Sequence, residues 1–189
     1  MKILISMRDF RIPPNNFLFD CLERSWYSFL GNHHLIPHAN TGVVDETIDF
    51  DCLVLSGGSD SVARNITENK LFLHAIKHKK PILGICHGAF VVNELSGGIN
   101  QVDQSIIANH DNTAHEVTME NRKVMVNSYH GQTIIQLGKG MIPLAIHEPD
   151  QTIEAFRHEH LPVYGIVWHP ERMEKPLLPE AVATLLKKT

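Results

Sequence analysis

The chain has 189 residues, 43% of them hydrophobic and 20% charged, with a net charge of -4. That is enough for one domain with a sizeable core, and it carries no basic footprint for a nucleic-acid partner. No apolar run approaches the roughly 20 residues that span a bilayer, so a membrane partner is not expected either.

The opening "MKILISMRDF" has one lysine and a short apolar run broken at Arg8 and Asp9, which reads as a first strand (2–6) rather than a secretory signal. Next comes "NNFLFDCLERSWYSFLG" (15–31), where Phe17, Leu18, Cys21, Leu22, Trp26 and Phe29 fall on one stripe. This spacing predicts a helix, with Asn15 or Asn16 as cap and Gly31 as its end. "CLVLSG" (52–57) predicts a buried parallel strand. "TENKLFLHAIKHKK" (67–80) predicts a helix capped by Thr67, with Leu71 and Ile76 on its apolar face and lysines in its last turn. "PILGI" (81–85) predicts a third buried strand, and "HGAFVVNELSGG" (87–98) a helix that Gly97 and Gly98 stop.

After about residue 100 the pattern shortens. "HEVTM", "KVMVNSY", "IPLAIHE", "TIEAFRHE" and "VYGIVWH" are strand candidates; the first two form a hairpin around "ENRK", and the last three extend the sheet and return to its centre. "PEAVATLLKK" (179–188) closes the chain as a helix. Alternating strands and helices imply right-handed crossovers. The expected fold is therefore α/β: one flavodoxin-like, doubly wound, mostly parallel sheet over residues 1–189, with helices on both faces and a small antiparallel extension.

Cys21, Cys52 and Cys86 are odd in number, widely spaced and without CxxC pairs, which excludes a disulfide framework and suits a reducing cytoplasm. The thirteen histidines invite a metal hypothesis. However, no HExxH occurs, and the adjacent His33 and His34 do not share a helix face. Most histidines are expected on the solvated surface, and neither metal nor cofactor is expected.

Ligands of open α/β sheets bind at the carboxyl ends of the strands. Four segments lie just past predicted strand ends: Ser56–Asp60, Gly84–Gly88, Asn127–His130 and Trp168–Glu171. Cys86 follows a strand and precedes a helix, so it is either a small buried hydrophobe or a nucleophile thrust up at a tight turn. Cys21 and Cys52 read as packing residues, the first on a helix stripe and the second in a strand. His169 and Glu171 stand two apart, and extended alternation puts them on one side, where the carboxylate orients the imidazole as a base. The amide of His87 and one from Gly57-Gly58 are the candidate oxyanion donors. Arg8 and Arg11 are either solvated loop residues or contacts for an anionic leaving portion.

"LSGGSD", "PILGICHG", "VNSYHGQ" and "GIVWHPE", in this order, resemble the class I (triad) glutamine amidotransferases and their relatives, the γ-glutamyl hydrolases. The resemblance implies Cys86, His169 and Glu171 as a catalytic triad and Gly58 and His87 as oxyanion donors. It also implies that Ser128, Tyr129 and His130 of "NSYH" line a γ-glutamyl pocket beside Gly57; for His130 a structural turn role is the alternative. The reaction so implied is cleavage of a γ-glutamyl amide through a γ-glutamyl thioester, without a cofactor. Glutaminases of this type typically carry a glutamine four residues after the nucleophile, where this chain has Phe90; that residue either favours a bulkier γ-glutamyl substrate or packs on the sheet. "ISMR…FLFDCLERSWYSFL" is similar to the opening of stand-alone γ-glutamyl hydrolases, including enzymes acting on γ-glutamyl-GABA or on γ-glutamyl amides of nucleotides. The alternative is a glutaminase subunit that delivers ammonia to a synthase partner. Residues 8–16 and 99–113 are candidate lids over the site.

Overall fold

The computed structural model describes residues 1–102, 110 and 113–187. Strands β1 (Lys2–Ser6), β4 (His34–His38), β5 (Cys52–Leu55), β6 (Ile82–Ile85) and β13 (Val163–Ile166) lie side by side in the order β4-β1-β5-β6-β13, all parallel. The sheet continues from β13 through β12 (Thr152–His158), β11 (Met141–His147), β8 (Thr113–Met119) and β9 (Arg122–Ser128), each antiparallel to its neighbour. The antiparallel part is thus four strands, larger than the small extension expected. A short pair of β7 (Ile99–Gln101) and β10 (Thr133–Gln136) lies apart from this sheet; neither it nor β4 is foreseen from the sequence.

Alternation along the central strands builds a core on each face. Ile3, Ile5, Cys52, Val54, Leu83 and Ile85 point to one side and pack with Trp26 of α1 (Ser25–Phe29) and Val182 of α4 (Glu180–Leu186). Leu4, Leu53, Leu55 and Ile82 point to the other, against Leu71 and Phe72 of α2 (Val62–Lys77) and Phe90 of α3 (His87–Leu95). Helices therefore cover both faces, as the sequence pattern requires.

Two local expectations are overturned. Residues 15–31 do not form one helix: β2 (Arg8–Ile12) and β3 (Phe17–Cys21) pair as an antiparallel hairpin, and only α1 remains helical. Phe10 faces Phe19 and Ile12 faces Phe17 across the pair, so the apolar residues satisfy a cross-strand pattern as well as a helical stripe. Asn40 then ties the hairpin down, donating from Nδ2 to Asp9 Oδ1 (2.7 Å) and Asp20 Oδ1 (2.8 Å). Cys21 accordingly ends a strand rather than sitting on a helix stripe. Helix α2 starts five residues before Thr67, at Val62, because Ser61 supplies the cap: its side chain accepts from the Arg64 amide at 3.1 Å. Thr67 lies inside the helix and donates to the Ala63 carbonyl.

Seven of the thirteen histidines (38, 87, 110, 115, 130, 147 and 169) are buried, against the expectation of a solvated surface set. No helix among the described residues is long and apolar enough to cross a membrane.

Candidate active site

Cys86 stands between β6 and α3 with φ 50° and ψ -109°, a left-handed conformation unusual for a residue with a side chain. Its amide donates to the Ile166 carbonyl at 2.8 Å, which anchors the turn to β13. The thiol lies at the carboxyl edge of the parallel strands and borders a cavity of about 190 Å³. Cys52, by contrast, is enclosed in β5, where burial pushes its thiol up to about 12.

His169 and Glu171 come together as expected, by a different route. Strand β13 ends at Ile166, and Pro170–Arg172 form a 3-10 turn with His169 at its cap, so the pair is closed by a turn and not by strand alternation. Nδ1–H of His169 donates to Glu171 Oε1 at 2.6 Å, with both side chains buried. That bond leaves Nε2 for the thiol. Burial alone would depress the His169 imidazole, but hydrogen bonds with Cys86 and Glu171 outweigh it and lift the pKa to about 9. Asn127 holds the backbone of His169 from both sides, accepting from its amide at 2.8 Å and donating to its carbonyl at 2.9 Å.

The loop after β5 approaches this pair closely. A Cβ on Gly57 would lie 2.5 Å from His169 Cε1, so only glycine lets the imidazole sit there. Gly58 has φ 140°, and its added Cβ would meet Arg64 Nη1 at 2.5 Å. Behind the loop is a fully buried ion-pair network that the sequence pattern does not single out. Arg64 donates from Nη2 to the Ser56 carbonyl (2.6 Å) and from Nε to Glu68 Oε1 (2.9 Å). Glu68 also accepts from Ser6 Oγ (2.6 Å) and from His87 Nε2 (2.8 Å). Burial would raise the Glu68 carboxyl, but His87, Arg64 and Ser6 together hold it below its ordinary value. The four-residue spacing of Arg64 and Glu68 was the available signal, although Arg64 precedes the segment 67–80 read as helical. Both candidate oxyanion amides therefore belong to segments fixed by one network: Gly58 through Arg64, and His87 through its own ring. The amide of His87 opens α3, where amides have no carbonyl a turn earlier to bond.

The remaining expected site residues divide. Phe90 and Tyr129 line the cavity, Tyr129 with its ring 5.8 Å from that of His169 and under the Arg172 guanidinium at 5.3 Å. His130 borders the cavity but is 2% exposed, and its polar end turns away toward Glu154. Ser128 is fully buried with its hydroxyl donating to the His110 carbonyl, so its side chain does not reach the cavity. Arg8 stands beside Gly58 on β2, Arg11 is exposed on the hairpin, and neither lines the cavity. Of the two candidate lids, 8–16 is the hairpin region, while 103–109 and 111–112 of the second lie outside the described residues.

A strained thiol at a strand-to-helix turn, a buried imidazole–carboxylate pair beside it and two nearby amides can form and hydrolyse an acyl thioester. Residues 44–171 match the family described as Peptidase C26. The chain is 30% identical over 170 residues to the gamma-glutamyl-CDP-amidate hydrolase of Campylobacter jejuni, covering 81% of each chain. It is 31% identical over 147 residues to a subunit of the glutamine-hydrolyzing GMP synthase of Methanospirillum hungatei, covering 72% of each chain. The solved glutamine amidotransferase of Thermotoga maritima shares the fold at a TM-score of 0.68 with 15% identity, over 90% of this chain and 76% of that one. The chain belongs to the Peptidase C26 family, of the class I glutamine amidotransferase type.

Proposed function

We propose that this member of the Peptidase C26 family is a cysteine-dependent γ-glutamyl amide hydrolase that works through a γ-glutamyl thioester. The observation that carries the proposal is the closed His169–Glu171 pair at 2.6 Å beside a Cys86 held at φ 50°. With its pKa raised to about 9, His169 carries a proton at neutral pH that it can give to a departing nitrogen.

The Cys86 thiolate attacks the γ-carbonyl carbon, and the carbonyl π electrons move onto oxygen, facing the amides of Gly58 and His87. Collapse breaks the C–N bond as His169 Nε2 gives its proton to the departing nitrogen, leaving a γ-glutamyl thioester and a neutral amine or amide. Water then enters, His169 takes its proton, and the second collapse returns the electron pair to Cys86 sulfur with release of glutamate. Glu171 holds the imidazole in the tautomer that presents Nε2 and stabilises its positive charge. Tyr129 and Phe90 wall the γ-glutamyl group.

Stand-alone hydrolysis is favoured by the equal 81% coverage with gamma-glutamyl-CDP-amidate hydrolase and by an apolar ring, Phe90, on the cavity wall. Similarity to a glutamine-hydrolyzing GMP synthase supports a second reading, a glutaminase subunit that passes ammonia to a synthase. Glutamate release by the purified chain separates them. A γ-glutamyl amide turned over without any partner supports the hydrolase; activity that appears only with a synthase partner supports the second reading.

A further inference from the structure

A second cluster of titratable groups lies under the cavity wall, between β8, β9, β11 and β12, and the chemistry above does not use it. His110, His115, His130 and His147 gather there, with ring centroids 4.5 Å apart for His110–His115, 4.9 Å for His110–His130 and 4.6 Å for His115–His147. The fully buried carboxylate of Glu154 stands among them. Its Oε1 lies 3.4 Å from His110 Nδ1 and 3.5 Å from His130 Nε2, and its Oε2 lies 3.6 Å from His115 Nε2. None of these five atoms has a hydrogen-bond partner among the described residues.

The outer nitrogens fix which inner ones carry lone pairs. His130 Nδ1 contacts the Gln132 carbonyl at 2.7 Å, and a carbonyl only accepts, so Nδ1 holds the proton and the neutral ring presents a bare Nε2. His110 Nε2 donates to Asp150 Oδ2 at 2.8 Å, which likewise leaves Nδ1 bare toward Glu154. Two imidazole lone pairs thus converge on a buried carboxylate, an arrangement that repels itself unless a positive charge sits between them.

The distances identify that charge. Ligands at about 2.0–2.2 Å from a tetrahedral zinc ion are separated by roughly 3.3–3.6 Å along the edges of the tetrahedron. The separations of His110 Nδ1 and His130 Nε2 from Glu154 Oε1, 3.4 and 3.5 Å, fall in this range and are long for hydrogen bonds, and these three residues lie close enough together to share one ion. The outer bonds of His110 and His130 are those that metal-bound histidines make to orient the ring. His110, His147 and Asp150 also lie close enough to share an ion, but there His110 Nε2 and His147 Nδ1 already bond Asp150.

The geometry points to a buried site for a divalent ion of the zinc class, held by His110 Nδ1, His130 Nε2 and Glu154, with the His115 ring packed beside the carboxylate. Two imidazoles and one carboxylate suit zinc and its first-row neighbours and not calcium or magnesium. All three ligands are buried, away from substrate. The ion's role is to pin the Asn127–Gln132 segment to β12, and with it the cavity wall where His130 packs against Phe90 at 6.1 Å.

The test is zinc titration by calorimetry, after chelation, of untagged protein carrying Cys86→Ala, which removes the thiol as a competing ligand. One zinc ion per chain and a rise in Tm are expected, with affinity at least tenfold weaker in Glu154→Gln. Cobalt(II) loading of the otherwise unsubstituted chain provides a readout should Glu154→Gln fail to fold. Visible bands of a nitrogen–oxygen site, without thiolate charge transfer, are expected. Absence of stoichiometric uptake, a thiolate signature, or zinc affinity unchanged in folded Glu154→Gln would each overturn the proposal and leave a cluster charged by protons alone.

Discussion

At the scale of single residues, the site depends on a few contacts that tolerate no added atom. In the proposed mechanism Cys86→Ala removes the sulfur that forms the thioester, so glutamate release should fall to background while the far-ultraviolet circular dichroism stays that of the parent. Gly57→Ala puts a methyl 2.5 Å from His169 Cε1, and the imidazole must retreat by about an ångström. A displacement of that size costs about 100-fold in kcat; unchanged kcat would show that His169 is not the base. Glu171→Gln should impair turnover less than His169→Gln, since in the proposed mechanism the carboxylate orients the ring and does not carry the proton. The pH dependence has a definite sign. His169 is raised from 6.5 to about 9, so its protonated form stabilises the fold fully below pH 6.5, and that contribution fades as pH rises toward 9. The Tm difference between the parent and His169→Gln should shrink across that window, as differential scanning calorimetry at several pH values would register.

Elements show where sequence patterns suffice and where they do not. The three central strands were legible because a strand buried on both faces is a continuous apolar run, and "KILIS" gives β1 to the residue. The segment 15–31 misled because Phe17, Leu18, Leu22 and Trp26 fit a helical stripe, and nothing local reveals that Asn40, twenty residues beyond Asp20, clamps the hairpin. The His169–Glu171 contact was legible from spacing alone, although the 3-10 turn that closes it was not. Neither Arg64, which precedes the segment 67–80 read as helical, nor Glu68 stands out in the sequence; only the packing of α2 on the sheet buries them behind the Ser56–Gly58 loop. Removing one partner of a buried ion pair typically costs about 3–5 kcal/mol. Arg64→Met should lose stability of this order in urea unfolding, and it should lower kcat through the loosened Gly58 amide.

For the molecule as a whole, the half-parallel, half-antiparallel sheet divides the work. The parallel half presents Cys86 and the Gly57–Gly58 loop at strand ends, and the antiparallel half supplies Asn127 and the cavity wall formed by residues 129–132. The histidines escaped a sequence-level reading because His110, His115, His130 and His147 come from separate places in the chain and converge only when β8, β9, β11 and β12 pair. The central claim is that this constellation cleaves γ-glutamyl amides unaided. Its most direct measurement is glutamate release by the purified chain alone, offered free glutamine, γ-glutamyl-GABA and a γ-glutamyl amide of a nucleotide in parallel. Turnover of a γ-glutamyl amide, abolished by Cys86→Ala, is the predicted result. Silence on every amide, with glutaminase activity appearing only when a synthase partner is added, would contradict it.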